Sequence, residues 1–328
     1  YSDHPADVSH APVAESPAKP AGPTGSGTLI GAIFLMATSA IGPGFITQTT
    51  NFTIQMGAAF SAAILISILV DIAVQLNVWR VIGVSGLRAS TLGNRVLPGL
   101  GWALGIMVAL GGLVFNIGNI AGGGLGMNAM LGLDPKIGGL LTAGIAILIF
   151  LWRAAGKAMD TVVVFLGFVM IALMLYVAFI SGPPVGEVLK QAVLSEAFDF
   201  FVVTTLIGGT VGGYITNSGA HRMVDTGITG VKNVRRISRS SVLGIITTGI
   251  MRYLLFLAIL GVVVAGADLA GETNQAAAAF QFAAGEVGMR LFGIILWGAA
   301  ITSVIGAAFT SVSFITPQTA EPRTRNYV

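Results

Sequence analysis

Long apolar blocks alternate with short polar stretches along this chain. The hydrocarbon core of a bilayer is about 30 Å thick, so a helix that crosses it needs roughly 20 mainly apolar residues. Scanning for such blocks predicts eight membrane-spanning helices, which we number as spans 1 to 8 in chain order. Their predicted ranges are 29–50, 57–79, 101–131, 137–152, 162–180, 200–216, 241–265 and 291–314.

The composition agrees with a membrane protein and excludes several other classes. Of the 328 residues, 54% are hydrophobic and only 9% are charged, whereas a soluble domain carries roughly 25% charged residues. The apolar residues follow neither a heptad nor a Gly-X-Y repeat, which excludes a coiled coil and collagen. The chain has no cysteine, so disulfides and thiolate metal sites are excluded too. We therefore predict an all-α, polytopic membrane protein.

The charges of the connecting loops predict the orientation of the spans. Loops after spans 2, 4 and 6 are net positive, with basic residues such as Arg88, Arg153 and Arg235, whereas loops after spans 3, 5 and 7 are neutral or acidic. The positive-inside rule then places both termini in the cytoplasm of a multi-pass protein of the plasma (inner) membrane. The basic run 232–239 fits contact with anionic membrane lipid and not with nucleic acid.

The ends of the chain differ in composition from the transmembrane domain, which we predict over residues 29–315. Residues 1–28 are rich in Pro, Ala and Ser and are predicted to form a disordered cytoplasmic tail. Residues 316–328 are predicted to form a polar cytoplasmic tail. The oligomeric state is left open by the sequence.

Two of the spans carry clusters of helix-breaking residues. Span 1 contains Gly42-Pro43-Gly44, and span 6 contains the run GGTVGGY at 208–214. A lipid-spanning helix tolerates such breaks only where its backbone lines a cavity or is covered by protein. The two spans lie five helices apart with opposite predicted directions, which is typical of an inverted repeat that binds substrate at the midplane between two broken helices. Repeat one would cover about 29–181 and repeat two about 199–315.

The breaks and the polar residues beside them are the candidate substrate site. Its predicted residues are Gly42, Gly44, Phe45, Thr47, Gln48, Thr210, Gly212, Gly213, Tyr214, Thr216 and Asn217. In span 3, Gly118, Gly122 and Gly126 recur every four residues, as in helices that pack closely. Asn116 and Asn119 beside that stripe either face the cavity or bond a neighbouring helix.

Three further polar residues lie in or beside the membrane. Asp71 and Arg252 sit at similar depths in spans 2 and 7, and because unpaired charges at that depth are costly we predict an intramembrane ion pair between them. His221 follows span 6 and is predicted to be a solvated residue at the membrane boundary.

Three segments of the chain resemble the NRAMP family of divalent metal transporters. GAIFLMATSAIGPGF at 31–45 is similar to the family's first helix, GNIAG at 118–122 with GMNAMLGL at 126–133 to its third, and LIGGTVGGYI at 206–215 to its sixth. The resemblance implies an inverted-repeat fold of the LeuT type, with broken helices 1 and 6 and ten or more helices. With eight spans, this chain would lack the last two helices of its second repeat, as a truncated chain would.

The residues that bind metal in this family are absent here. The family's Asp-Pro-Gly-Asn motif falls on Gly42-Pro43-Gly44-Phe45, and its Met-Pro-His motif falls on Gly212-Gly213-Tyr214. Acids of its third helix fall on Asn116 and Asn119, which cannot titrate. The oxygen groups that remain suggest Gln48, Thr210 and Tyr214 as metal ligands, and they suit a hard, hydrated ion such as Mg²⁺ better than a soft transition metal.

The resemblance therefore implies a membrane transporter whose substrate is an inorganic cation, moved by alternating access without proton coupling. Two alternatives stay open: a transporter of an amino acid or other small organic solute on the same fold, and a truncated membrane protein that does not transport. An enzyme is not expected, because the chain holds neither His-Glu-x-x-His nor Gly-x-Ser-x-Gly. No cofactor is expected.

Overall fold

The computed structural model describes residues 41–151, 153–210, 214–225 and 227–315. The two predicted tails, the first part of span 1 and the predicted site residues Gly212 and Gly213 lie outside these ranges. The described chain forms these α-helices: α1 (Pro43–Met56), α2 (Phe60–Ser85), α3 (Ala89–Val96), α4 (Leu100–Leu131), α5 (Pro135–Leu151), α6 (Arg153–Ser181), α7 (Val185–Val193), α8 (Phe200–Thr210), α9 (Tyr214–Asp225), α10 (Val234–Val264) and α11 (Gln275–Ile315).

The all-α architecture predicted from the sequence is confirmed, although several helices exceed their predicted ranges. Helix α2 continues to Ser85 and α10 begins at Val234, because their polar ends lie beyond the apolar block that the scan detects. Helix α11 begins at Gln275 and is kinked at Gly285, whose φ of 64° is a left-handed conformation that favours glycine. The short helices α3 and α7 were not predicted, because each is too short to form an apolar block of spanning length.

Length and apolar composition identify the membrane-spanning candidates. Within the described ranges, four helical stretches are long and apolar enough to cross a membrane: Pro43–Ser85, Leu100–Leu131, Val231–Val264 and Gln275–Ile315. The pair Phe165–Ser181 and Val185–Val193, bent by 107°, would add a fifth. Pro135–Leu151 and Phe200–Thr210 are apolar but shorter. The count of eight spans therefore stays a prediction.

Large apolar side chains on the outer faces of these helices are typical of contact with lipid. Trp102, Leu140, Phe179 and Phe201 are all exposed, and an apolar surface this extensive marks a membrane protein. The largest buried cluster lies between α1, α6, α10 and α11 and includes Phe45, Met174, Leu255, Phe280 and Phe292. The start of α1 is therefore held in the middle of the protein.

The structure has two distinct ends. We call the end of the protein at which α2 begins the vestibule end. There, the Tyr253 hydroxyl donates to the Ser61 carbonyl, and the Ser61 hydroxyl donates to the Val188 carbonyl. We call the opposite end, at which α2 finishes, the tie end. There, the Gly230 amide donates to the Gly83 carbonyl. Arg80 donates from Nε to the Ser238 hydroxyl at the same end.

Candidate substrate site

Helix α1 begins at the predicted break of span 1. Gly42 is extended (φ −87°, ψ 177°) and is followed by Pro43 as the first helical residue, which suits proline because the first-turn N–H groups have no partner within a helix. A Cβ on Gly122 of α4 would come within 2.1 Å of the Pro43 Cβ, so the two helices touch here. Gly44 is half-buried, with Phe115 of α4 as the neighbour that a Cβ would meet.

A neutral polar cluster surrounds Gly42. A Cβ on Gly42 would lie 2.5 Å from the Ser303 Oγ of α11 and 3.4 Å from the Asn119 Oδ1 of α4. Asn119 Nδ2 in turn donates to Asn116 Oδ1 (3.5 Å), and Asn116 Nδ2 donates to the Val304 carbonyl (3.3 Å). Asn119 therefore borders the break, whereas Asn116 bonds a neighbouring helix. The sequence did not predict Ser303 as a site residue. Its one local signal is a Thr-Ser pair within an apolar span.

Oxygen-bearing side chains of α1 and α2 approach Gly209 and Thr210, the last described residues of α8. The Thr210 hydroxyl donates to Asp71 Oδ2 of α2 at 2.6 Å. Gln48 of α1 reaches the residue next to Thr210, because a Cβ on Gly209 would lie 2.7 Å from Gln48 Oε1. Asp71 Oδ1 and Gln48 Oε1 are both buried without a hydrogen-bond partner. Gln48 and Thr210, two of the three predicted metal ligands, thus lie near each other across one residue of α8, and Asp71 bonds Thr210.

Arg252 of α10 lies over the aromatic ring of Phe45, with Cζ 4.4 Å from the ring centroid. The predicted ion pair between Arg252 and Asp71 is not formed as a direct contact: the two attract each other electrostatically, but no nitrogen–oxygen pair is within 4.0 Å. Asp71 is turned toward Thr210 instead, and Arg252 toward Phe45. Equal depth in two helices did not make them partners, because the rotation of each helix sets the direction of its side chains.

The second half of span 6 forms α9, which begins at Tyr214; the Tyr214 side chain lies outside the described part of the chain. The hydrogen-bonding groups of Thr216 are directed at α2. Its hydroxyl donates to Gln75 Oε1 (3.5 Å), and its carbonyl accepts from Trp79 Nε1 (2.9 Å). Thr216 therefore fastens α9 to α2, and Asn217 beside it is half-buried. A break between α8 and α9 stays a prediction.

A cavity of about 380 Å³ leads from the vestibule end to the start of α1. It follows one face of α1 from Gln55 to Pro43, a distance of about 18 Å at 1.5 Å per residue. Thr47, exposed, and Thr50, whose buried Oγ1 has no hydrogen-bond partner, line it. The remaining lining residues are Ile46, Asn51, Ile54, Gly122, Leu125, Thr273, Asn274, Gln275, Ala276 and Leu296.

The tie end is closed by a network around His221, which was wrongly predicted to be solvated. His221 is fully buried because α3 and the end of α11 cover it. The Ala89 amide donates to His221 Nε2 (3.1 Å), and His221 Nδ1 lies 2.9 Å from the Ser313 Oγ. Arg88, also buried, forms an ion pair with Asp225 of α9 at 3.1 Å and donates to the Ser313 carbonyl at 3.1 Å. We call these five residues the tie.

The ligand chemistry of the described residues is that of oxygen. No group of three or more His, Cys, Asp and Glu side chains in the described ranges could hold a metal ion. A carboxylate, an amide oxygen and a hydroxyl at the end of α8 are hard ligands.

Comparison with known proteins identifies the family. The family model for Nramp, described as Natural resistance-associated macrophage protein-like, matches residues 33–317, so the chain belongs to the Nramp family. YcsG of Bacillus subtilis, described as an uncharacterized membrane protein, is 55% identical over 286 residues, which make up 87% of this chain and 70% of that protein. An uncharacterized membrane protein of Haemophilus influenzae is 50% identical over 288 residues, 88% of this chain and 72% of that protein.

Solved structures confirm the fold. A variant of the Eremococcus coleocola manganese transporter matches with a TM-score of 0.66 at 17% identity, over 90% of this chain and 67% of that chain. The same transporter in complex with an aromatic bis-isothiourea substituted compound also gives 0.66, over 91% and 69%. The chain is thus an integral, multi-pass membrane protein with the Nramp transporter fold. Family and fold support a divalent metal cation transporter and not an enzyme.

Proposed function

We propose that this protein transports a hard divalent cation such as Mg²⁺, largely hydrated, by alternating access and without a coupled proton. The observation that carries this proposal is the junction at Gly209 and Thr210, which Gln48 and Asp71 approach from α1 and α2, and where two buried acceptor oxygens have no hydrogen-bond partner. An unpaired buried acceptor costs about 1–3 kcal/mol. A cation, directly or through its waters, would remove that cost.

The ligand set supports a hard ion over a soft one. Gln48, Asp71 and Thr210 offer only oxygen, and Mg²⁺ retains several waters and binds proteins through one or two carboxylates. The Arg252 guanidinium beside this junction opposes a bare divalent charge, and a hydration shell screens that repulsion. Asn116 and Asn119, where the family resemblance places acids, cannot titrate, so a coupled proton would have to be carried by Asp71.

The two ends of the protein support an alternating-access cycle. The cavity reaches Pro43 from the vestibule end, while the tie closes the opposite end. If the positive-inside rule holds, the basic residues Arg80, Arg88 and Lys232 mark the tie end as cytoplasmic. The described conformation then corresponds to a state that is open to the outside.

Uptake of Mg²⁺, Mn²⁺ and Ca²⁺ into proteoliposomes tests the proposal. We expect saturable Mg²⁺ uptake that does not change when a pH gradient is imposed. Asp71→Asn and Gln48→Leu should each lower it about tenfold or more, because each removes a ligand whose charged or polar bond contributes about 1.5–3 kcal/mol.

Asp268→Asn is the matched control, because Asp268 lies in the loop before α11 and its carboxylate bonds only the Ala270 amide. Its uptake should equal that of the unaltered protein. Unchanged Mg²⁺ uptake in both Asp71→Asn and Gln48→Leu would place the cation elsewhere. Uptake driven by the pH gradient would contradict proton independence.

A further inference from the structure

Arg252 is the most unusual polar residue of the described interior. Its side chain is only 2% exposed, and neither Nη1 nor Nη2 has a hydrogen-bond partner. A buried guanidinium normally pairs with a carboxylate or another acceptor, because an unpaired buried charge is strongly unfavourable. The proposed cation site does not pair the Arg252 charge, since a guanidinium repels a cation.

The guanidinium is aimed at the start of a helix. It stacks on Phe45, the third residue of α1. Gly42 before the helix makes no side-chain capping bond, and the first turn contains no acidic residue. The N–H groups of that turn have no partner within the helix, and the helix dipole adds partial positive charge there. Two independent sources of positive charge therefore meet at one buried place.

A carboxylate matches this place better than other anions. A guanidinium binds a carboxylate with two parallel hydrogen bonds, and first-turn N–H groups bind anions at helix starts. Phe45 under the guanidinium belongs to a buried apolar cluster that also contains Ile41 and Met251, which suits the carbon skeleton of a small organic molecule. Asp71 is the acid that faces Arg252, but Thr210 holds one of its oxygens and no direct contact forms.

We propose that Arg252 and the start of α1 form a subsite for the carboxylate of a small organic solute, which is carried together with the cation. Gln48 follows Phe45 by three residues, about 4.5 Å along the helix. A carboxylate under Arg252 would therefore lie within reach of a positive charge bound at the proposed cation site near Gln48. That positive charge is either the metal cation or the ammonium group of an amino acid. The transport step rests on the proposed function, but the binding step does not.

Binding to the full chain in lipid nanodiscs tests the subsite. The probes are radiolabelled acetate, L-lactate and L-alanine, each with and without Mg²⁺. We expect saturable binding of at least one of them. Arg252→Gln should weaken binding about ten- to hundredfold, because it removes charged hydrogen bonds. Arg252→Lys should weaken binding less, since lysine keeps the positive charge but lacks the planar guanidinium that forms two parallel hydrogen bonds.

Arg80→Gln is the matched control, because Arg80 lies at the tie end and donates to Ser238; its binding should not change. If Arg252→Gln fails to fold, a rise in the thermal midpoint of the unaltered protein with each probe replaces it, because a ligand that binds only the folded state stabilises it. Binding of L-alanine alone indicates the ammonium arrangement, and binding of L-lactate shows that a carboxylate suffices.

Two results would overturn the subsite: no binding or thermal stabilisation by any of the three probes, or a folded Arg252→Gln that binds as tightly as the unaltered protein. Carboxylate binding without Mg²⁺ uptake would refute the proposed cation cargo and leave the subsite in place. Mg²⁺ uptake without carboxylate binding would refute the subsite and leave the proposed cation cargo in place.

Discussion

Gly126→Ala is expected to destabilise the protein by about 1–3 kcal/mol, the usual cost of forcing an extra carbon into a packed interior. A Cβ at this position would lie 2.7 Å from the backbone nitrogen of Trp297 and 2.9 Å from the carbonyl oxygen of Gly293, both in α11. Gly293 approaches α4 equally closely, because a Cβ on Gly293 would lie 2.6 Å from the backbone nitrogen of Met130. Because both neighbours are backbone atoms, relief requires that whole helices separate.

The thermal midpoint of the purified protein in detergent measures this effect. Gly118→Ala in the same helix is the matched control, because Gly118 is exposed and a Cβ there meets nothing within 4 Å. It should leave stability unchanged or raise it slightly, since alanine favours a helix over glycine by up to about 1 kcal/mol. Equal midpoints for the two variants would show that α4 and α11 do not approach through Gly126.

The second large effect is expected from Asp225→Asn, which removes the charge that pairs with buried Arg88 in the tie. Loss of one partner from a fully buried pair costs about 3–5 kcal/mol. Asp225 is about one third exposed, with 36% of its side-chain surface accessible, so we expect about 1–3 kcal/mol. That energy should shift the population toward conformations in which α9 has left α11 and the tie end is open.

A single cysteine can report this opening, because the chain contains no cysteine of its own. Ser313→Cys places a thiol at a fully buried position of the tie. A hydrophilic thiol reagent should modify it slowly, and about tenfold or more faster when Asp225→Asn is added. Glu286→Gln is the control, because it breaks an exposed ion pair with Arg290, and such pairs contribute little. Equal rates in all three proteins would show that the Arg88–Asp225 pair does not close this end.

The glycine stripe of span 3 shows how far a pattern can predict packing. Spacing every four residues predicted a close helix contact through Gly118, Gly122 and Gly126. Gly122 contacts Pro43 and Gly126 contacts α11, but Gly118 faces outward. The repeat places the three glycines on one face of α4. The contacts with α1 and α11 cover only part of that face, so the positions of those two helices decide which glycines are buried.

His221 illustrates a second limit. Its place after an apolar span predicted a solvated residue, and the structure buries it under Ala89, Arg88 and Ser313. Helix α3, which covers it, is eight residues long and has too few apolar positions to be detected. Local patterns identify a helix only when its own residues form a long enough block.

The class of this protein follows from local patterns in its sequence. Long apolar blocks with few charges can satisfy their backbone groups in lipid only as helices. The runs at 31–45, 118–133 and 206–215 resemble segments of the Nramp family, to which the chain belongs. The sequence also located the start of α1 at Gly42-Pro43, because proline and glycine restrict the backbone locally.

The contacts between polar groups of different helices depend on how the helices pack. Asp71 bonds Thr210, Arg252 stacks on Phe45, and Ser303 lies against Gly42 from another helix. The sequence gives the depth of a residue along its helix, but the rotation and tilt of each helix come from packing against its neighbours. The partners of buried charges depend on those two angles, which is why the candidate site became visible only in the folded protein.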